Sequence, residues 1–342
     1  MTTPEIQALV VRGWREHALE RVPLPTPGPG QALVAPTHAA MCGTDLRLLA
    51  GTLHDAEYPV IPGHEWAGIV LAAPDRPELV GARVVGENIL PCGACPACVA
   101  GQPNLCGSID EIGFTLPGAF AEAFTIPAAN LLPLPDSLSG PEGCLLEPLG
   151  VALHAIERAG DSVRGRVVGV LGGGAVGLLV AQLAVAGDAS AVSIVEPAES
   201  RQAIAAGLGL PAYASLAGWQ EELPQTVFDA TGVAKVFPDG LLATRPGGTY
   251  VLVGYSGEES TSFEPATVML RELTVHGVLS GHGQLRTALA AVTSGAVRLG
   301  PLVSEPVPLA GYREVVDAPA GTAPLRRFFT IPQSMEHFAT SQ

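Results

Sequence analysis

Apolar positions change their rhythm along the chain. Residues 7–40 alternate short apolar runs with turns; 8–11 and 32–35 read as strands, separated by a proline/glycine loop at 23–30. Residues 113–135 return to the same texture, which predicts a small β-rich domain. The segment GPEGCLLEPLGVALHAIERAG then places Leu145, Leu149, Leu153 and Ile156 near one face of a helix. From Val167 onward the order is strand, helix, strand, helix. Strands are expected at 191–195, 227–230, 249–253 and 274–278, and a helix at 284–293. That alternation predicts a doubly wound parallel sheet, so the fold class is α/β. The tail, PLVSEPVPL and PLRRFFTIP, resumes short strands and proline turns. It is expected to complete the first domain, giving residues 1–149 with 284–342 as the β-rich domain and 150–283 as the parallel-sheet domain.

The stretch VVGVLGGGAVGLLVAQLAVAG (167–187) is the strongest single motif. Gly172, Gly174 and Gly177 form G-x-G-x-x-G between a predicted strand and a predicted helix that Ala175 and Val176 begin. The first glycine allows a tight turn, the second lets backbone approach a pyrophosphate, and the third lets helix and strand pack closely. Glu196 follows Gly177 by nineteen residues, at the expected end of the next strand. A carboxylate there would hold the ribose hydroxyls of a dinucleotide. Thr231 and Gly254 follow two further strand ends, where such a ligand would lie. A membrane span fits this uncharged run poorly, because its glycines cluster at one end and no aromatic belt flanks it.

Length and charge narrow the setting. The chain of 342 residues is enough for about two domains. Its net charge of −15 argues against nucleic acid or an anionic membrane as partner. The N-terminal MTTPEIQALVVRGWRE has no basic region followed by an apolar core, so a cytoplasmic setting is expected. There, the six cysteines should be thiols or metal ligands.

Five of those cysteines carry candidate chemistry. Cys92, Cys95, Cys98 and Cys106 form C-x2-C-x2-C-x7-C, which suits a closed structural zinc, with an iron–sulfur cluster as the competing reading. Cys42 opens CGTD, and His64 and Glu65 lie in PGHEWAG twenty-two residues later. A thiolate, an imidazole and a carboxylate are the ligand set of an open catalytic zinc. Asp45 would orient the histidine through its other ring nitrogen. Glu147 lies in an apolar run and needs a partner, for which a catalytic metal is the candidate. Cys144 is read as a small buried apolar side chain.

Taken together, CGTD at 42–45, GHE at 63–65, the four-cysteine lobe, EPL at 147–149 and GGGAVG at 172–177 resemble the zinc-dependent medium-chain alcohol dehydrogenases. Glu147 is similar to the glutamate of the sorbitol and threonine dehydrogenase branch. YPVIPGHEWAG, the stretch EIGFTLPGAFAEAFTIPAANLLPLPDSLS, VEPAESR and the final RRFF resemble 2-deoxy-scyllo-inosamine dehydrogenases, which oxidise an aminocyclitol in aminoglycoside antibiotic biosynthesis. The resemblance implies a GroES-like catalytic domain and a Rossmann domain. It implies two zinc ions per chain: a structural one on the four cysteines and a catalytic one on Cys42, His64 and Glu65 or Glu147. It further implies that Thr44 relays the hydroxyl proton and that a hydride passes to a nicotinamide. Many relatives end that relay in a histidine where this chain has Arg47, leaving His54 or water to replace it. Glu196 would repel a 2′-phosphate, so NAD is expected ahead of NADP, with Arg201 softening the discrimination. The partner is a small-molecule alcohol, and a homodimer or homotetramer is expected through the strand near residues 274–279. Two other functions compete: a dehydrogenase of sorbitol- or threonine-type substrates, and a non-catalytic nucleotide-binding protein.

Overall fold

A computed structural model describes residues 4–53, 56–257, 259–317 and 324–332. The chain divides into two compact units. One comprises residues 1–147 with 303–342, the other 148–302.

The first unit begins with an antiparallel ribbon of β1 (Glu5–Gly13) and β2 (Glu16–Pro23). The long strand β3 (Gln31–Met41) follows and is the spine of a seven-stranded sheet. Its register slips between Pro36 and His38. Such an irregularity lets a central strand carry a proline, which has no N–H to give to the ladder. A short helix α1 (Gly43–Leu49) leaves the end of β3, and the chain returns as β4 (Glu65–Ala72), antiparallel to it. Strand β5 (Arg83–Gly86) adds beside β4. The hairpin β6 (Ile89–Leu90) and β7 (Asp110–Glu111) encloses the cysteine lobe, with its short helix α2 (Pro96–Val99). Strands β8 (Phe124–Pro127) and β9 (Leu131–Pro133) pair with β3 and β5. Alternation along β1, β3 and β4 turns Leu9, Val11, Val34, Trp66 and Val70 into one core with Leu48, Phe120, Phe124 and Phe329. Helices α3 (Gly140–Cys144) and α4 (Leu146–Ala159) follow. The α3 start is fixed by Ser139, whose hydroxyl accepts from the Glu142 N–H.

The second unit is a six-stranded parallel sheet. Its strands are β10 (Val167–Leu171), β11 (Ala191–Val195), β12 (Ala212–Tyr213), β13 (Thr226–Asp229), β14 (Thr249–Leu252) and β15 (Thr274–Gly277). The spatial order is β12-β11-β10-β13-β14-β15. The order therefore reverses beside β10, the switch point at which doubly wound sheets take ligands. Helix α5 (Ala175–Ala186) packs behind β10 and is buried almost all round. That explains its uncharged sequence without a membrane; among the described residues no helix is long and apolar enough to cross one. Helices α6 (Glu199–Gly207), α7 (Val236–Ala243), α8 (Ala266–Leu270) and α9 (Leu285–Thr293) complete the unit.

The β-rich unit and the parallel-sheet unit match the expected α/β architecture. The second unit, however, runs on to Leu302, beyond the return expected at residue 284. The reason is local bonding. The Gln284 amide donates to Glu157 at 2.9 Å, Arg298 N–H donates to Gln182 at 2.8 Å, and the Gly281 backbone touches that of Gly150. From Val303 the tail rejoins the first unit through β16 (Val307–Pro308), α10 (Tyr312–Val316) and β17 (Arg327–Thr330), with β17 antiparallel to β3.

The three motif glycines differ in what surrounds them. Gly172 has φ +94, a left-handed turn. A Cβ on Gly177 would lie 1.9 Å from the Gly172 carbonyl oxygen, whereas one on Gly174 would meet nothing within 4 Å. We therefore expect Gly177→Val to cost about 1–3 kcal/mol from overpacking, read as a fall in thermal midpoint. Gly174→Ala should leave that midpoint nearly unchanged, since its backbone is one any residue adopts. Equal effects of the two substitutions would contradict this division of roles.

Candidate active site

Strand register explains how distant residues meet. Ala40 pairs with Glu65 across β3 and β4, and Met41 pairs with Arg327 across β3 and β17. Cys42, just past the end of β3, thus lies beside His64 and Glu65 on one side and Arg326 on the other. Gly63 is required at this point. It has φ +102, and a Cβ there would come within 2.8 Å of the Phe120 nitrogen.

Ligand atoms of Cys42, His64 and Glu65 all lie within 4.8 Å of one another. Asp45 is fully buried, and its Oδ2 accepts from the Cys42 N–H at 2.7 Å, which caps α1. Its Oδ1 stands 3.4 Å from His64 Nδ1, on the side where an orienting carboxylate is expected. The Thr44 hydroxyl is 3.7 Å from Cys42 Sγ. Asn88 fixes the segment from behind. Its amide donates to the His64 carbonyl, and its Oδ1 accepts from Trp66 Nε1 at 2.9 Å.

The charges of this cluster are unbalanced. Burial would raise the Cys42 thiol, yet the Arg326 and His64 charges bring it down to about 6. Burial pushes Glu65 well up despite Arg326, and pushes Glu147 up to about 7 with Cys42 adding to the rise. Burial opposes the His64 proton, but Asp45 and Cys42 outweigh it and hold His64 well above its usual value. Arg326 lies 3.0 Å from Glu65. Even so, both Glu65 oxygens and His64 Nδ1 are buried without a hydrogen bond. Thiolate, imidazole and a buried carboxylate ion-paired to Arg326, with an excess of negative charge, are a donor set fitted to a divalent ion such as zinc. Glu147 stands outside the 4.8 Å set, within Coulomb reach of Cys42, His64 and Arg326.

The four remaining expected ligands also converge. Cys92, Cys95, Cys98 and Cys106 place their sulfurs within 4.8 Å of one another. Cys95 and Cys98 Sγ are 3.5 Å apart, Cys92 and Cys98 Sγ 4.0 Å. A tetrahedron built on Zn–S bonds of about 2.3 Å has edges of about 3.8 Å. The cavity thus suits a single ion and is too tight for the expected alternative of an iron–sulfur cluster. Backbone N–H groups of Cys92, Cys95 and Ser108 donate to Cys106, Cys92 and Cys106 sulfurs, all at 3.4 Å. Cys144 is buried, and its burial pushes the thiol well up, as befits an inert core side chain.

At the parallel sheet, Gly172 to Gly177 turn from β10 into α5. Glu196 directly follows β11, with Oε2 accepting from the Gly173 N–H at 2.8 Å and Oε1 from Ala198 N–H at 2.9 Å. Arg201 approaches it at 3.7 Å. Thr231 is set by Asp229, which accepts from its hydroxyl at 2.6 Å, and Gly254 packs against Gly232. Both line strand ends β13 and β14. His54 lies outside the described residues. Sequence reasoning missed Arg326 and Asn88; only β-pairing brings them to the cluster.

Residues 28–136 match the alcohol dehydrogenase GroES-like domain, and residues 175–294 match the zinc-binding dehydrogenase domain. The chain belongs to the zinc-dependent medium-chain alcohol dehydrogenase family. Members of this family are oxidoreductases that work with zinc and NAD(P), and so is this chain. It is similar to D-altritol 5-dehydrogenase of Agrobacterium fabrum, 33% identical over 301 residues, 85% of this chain and 89% of that one. L-threonine 3-dehydrogenase of Pyrococcus abyssi is 31% identical over 84% of this chain and 86% of its own. A zinc-binding dehydrogenase from Sinorhizobium meliloti 1021, solved bound to NADP, superposes with a TM-score of 0.88 at 29% identity. That superposition covers 96% of this chain and 100% of the other.

The charge imbalance has a measurable consequence in the metal-free enzyme. A carboxyl raised in the folded state stabilises the fold only while it stays protonated. Its contribution is present below pH about 4.5 and is lost as pH rises through the folded value of about 7. We expect Glu147→Gln to be as stable as the parent near pH 4 and more stable near pH 8, by up to roughly 3 kcal/mol. Urea melts of the chelated protein at several pH values measure this. A variant whose stability relative to the parent does not rise between pH 4 and pH 8 would contradict the burial of Glu147.

Proposed function

We propose that the chain oxidises a secondary alcohol of an aminocyclitol, of the 2-deoxy-scyllo-inosamine type, to the ketone, within aminoglycoside antibiotic assembly. The reaction class is that of the family. The observation that carries the site is the convergence of the Cys42, His64 and Glu65 ligand atoms within 4.8 Å of one another. We assign Cys42, His64 and Glu65 as the protein ligands of the catalytic ion, with Glu147 as the carboxylate that exchanges for Glu65. Zinc held there supplies Lewis acidity to the alcohol oxygen. Asp45 fixes the His64 ring and the start of α1. Thr44, adjacent to Cys42, takes the hydroxyl proton and passes it outward, with His54 or solvent completing the path.

The second metal of the pair belongs to Cys92, Cys95, Cys98 and Cys106 and holds the β6–β7 lobe. The amides of Gly174 to Gly177 would hold the pyrophosphate of a dinucleotide, whose nicotinamide would supply the hydride acceptor. Glu196 favours the unphosphorylated ribose of NAD, while Arg201 leaves a counter-charge that lets NADP compete. The exposed edge of β15, where Val275 is 40% exposed and Leu279 just beyond the strand is 58% exposed, supports pairing into a homodimer or homotetramer.

Sorbitol- or threonine-type substrates are the second reading, favoured by the polyol and threonine dehydrogenases among the relatives. NADH formation by zinc-loaded enzyme on 2-deoxy-scyllo-inosamine, scyllo-inositol, sorbitol and threonine separates the two. We expect at least tenfold higher kcat/KM on the aminocyclitol. A preference for sorbitol or threonine would overturn the substrate assignment and leave the family untouched. Cys42→Ser should lose turnover by several orders of magnitude and keep NADH binding. Retained turnover in that variant would remove Cys42 from the catalytic centre.

A further inference from the structure

The amino ends of the parallel strands border a cavity that none of the assigned roles uses. Its volume is about 240 Å³, and Thr226 and Thr249, the first residues of β13 and β14, lie in its wall. The glycine turn and Thr231 follow the carboxyl ends of β10 and β13, so the cavity sits at the opposite end of the sheet from them.

The lining is one-sided in charge. Arg166 and Arg245 border the cavity and no carboxylate does, in a chain with 18 basic residues against 33 acidic ones. Both arginines are exposed, and among the described residues neither guanidinium makes an ion pair or a hydrogen bond. The neighbouring Arg164, by contrast, pairs with Asp188 at 3.6 Å. Asp161, next to Ser162 in sequence, is outside the lining.

The uncharged groups point the same way. Gln225 Oε1 accepts the Val167 N–H at 3.2 Å, which leaves its Nε2 to donate. Ser162 Oγ accepts from the Thr249 hydroxyl at 3.0 Å, which leaves the serine O–H to donate. The Thr226 hydroxyl already donates to the Ser162 carbonyl. Guanidinium, amide and hydroxyl donors therefore remain for a ligand, and such a set suits an anion.

The wall is also preformed. Gly247 has φ +74, and its N–H donates to the Arg271 carbonyl at 2.8 Å. Gly248 N–H donates to the Arg245 carbonyl at 2.9 Å, and a Cβ on Gly248 would come within 2.5 Å of the Gln225 carbonyl oxygen. The turn that carries Arg245 is thus seated on β13 before any ligand arrives. Helix α7 ends beside it, and a helix carboxyl end opposes an anion. Arg271 offsets that opposition by donating to the Leu242 and Thr244 carbonyls at 2.9 and 2.6 Å.

We propose that this cavity binds a phosphate group, carried by inorganic phosphate or by a small phosphate monoester. Arg166 and Arg245 supply the counter-charge, and Gln225 and Ser162 supply neutral donors. A phosphate offers enough oxygens to meet all four groups, and guanidinium matches its geometry. The site is independent of the alcohol that the enzyme oxidises.

Calorimetric titration of inorganic phosphate into zinc-loaded enzyme tests this. NADH is kept saturating so that the dinucleotide site is filled, and sodium chloride holds the ionic strength constant. We expect a dissociation constant of about 1 mM or tighter. The double variant Arg166→Gln, Arg245→Gln should bind phosphate at least about tenfold more weakly. Its NADH affinity and its thermal midpoint without phosphate should stay at wild-type values, and the double lysine variant should keep part of the phosphate affinity. In the wild type, phosphate should slow phenylglyoxal modification of Arg166 and Arg245, read by mass spectrometry, and leave that of Arg164 unchanged. Glycerol 3-phosphate binding at least about tenfold tighter than inorganic phosphate would support the site and assign it to a monoester. Equal binding would support it and assign it to the free ion. A dissociation constant above about 10 mM, phosphate affinity unchanged in the double glutamine variant, or no protection of the two arginines would each overturn the proposal.

Discussion

The site depends on the pairing of one strand with two others. The antiparallel register of β3 with β4 sets Cys42 against His64 and Glu65, and its register with β17 sets Arg326 on the other side. Because side chains alternate along a strand, a slip of one residue in either pairing would turn these groups to the opposite face. The large apolar residues of β3, β4 and β17 enforce the register by burying Val34, Val70 and Phe329 in one core. Packing energy is thereby converted into placement of polar groups that would repel one another if left alone. Arg326 offsets part of that repulsion, and a divalent ion held there would offset more of it.

The parallel-sheet unit uses a different device for a similar end. At its glycine turn, recognition falls to backbone. Gly177 brings α5 against the Gly172 carbonyl, and Gly174 opens the turn toward solvent. Glu196 is held by two backbone N–H groups, so its carboxylate is already oriented before any ligand arrives. Such preorganisation lowers the ordering cost of binding. It also reconciles a net charge of −15 with an anionic cofactor, since amides at a helix start attract phosphate locally.

Much of this was legible in the chain. Thiol, imidazole and carboxylate are ligand types, so Cys42, His64, Glu65 and the four clustered cysteines could be picked out as candidates before folding, and the structure brings each set together. G-x-G-x-x-G is a local motif whose turn, approach and packing roles are intrinsic to glycine. What stayed hidden is what only long-range pairing creates. Arg326 is an ordinary tail arginine until β17 docks on β3. The boundary at Leu302 was equally unreadable, because the apolar stripe of α9 shows that it packs but not on which sheet. Bonds such as Gln284 to Glu157 decide that, and they carry no sequence signature. Glu147, by contrast, was visible as a carboxylate in an apolar run, while its place outside the first set of ligand atoms was not.

Anomalous diffraction at the zinc edge from zinc-loaded crystals tests the central claim most directly. The account predicts two peaks per chain. One lies among Cys92, Cys95, Cys98 and Cys106, and the other is bound by Cys42 and His64 with an oxygen of Glu65 or Glu147 completing the protein ligands. A peak absent from the second position, or one there without Cys42 or His64, would contradict the assembly of a catalytic metal centre by these strands.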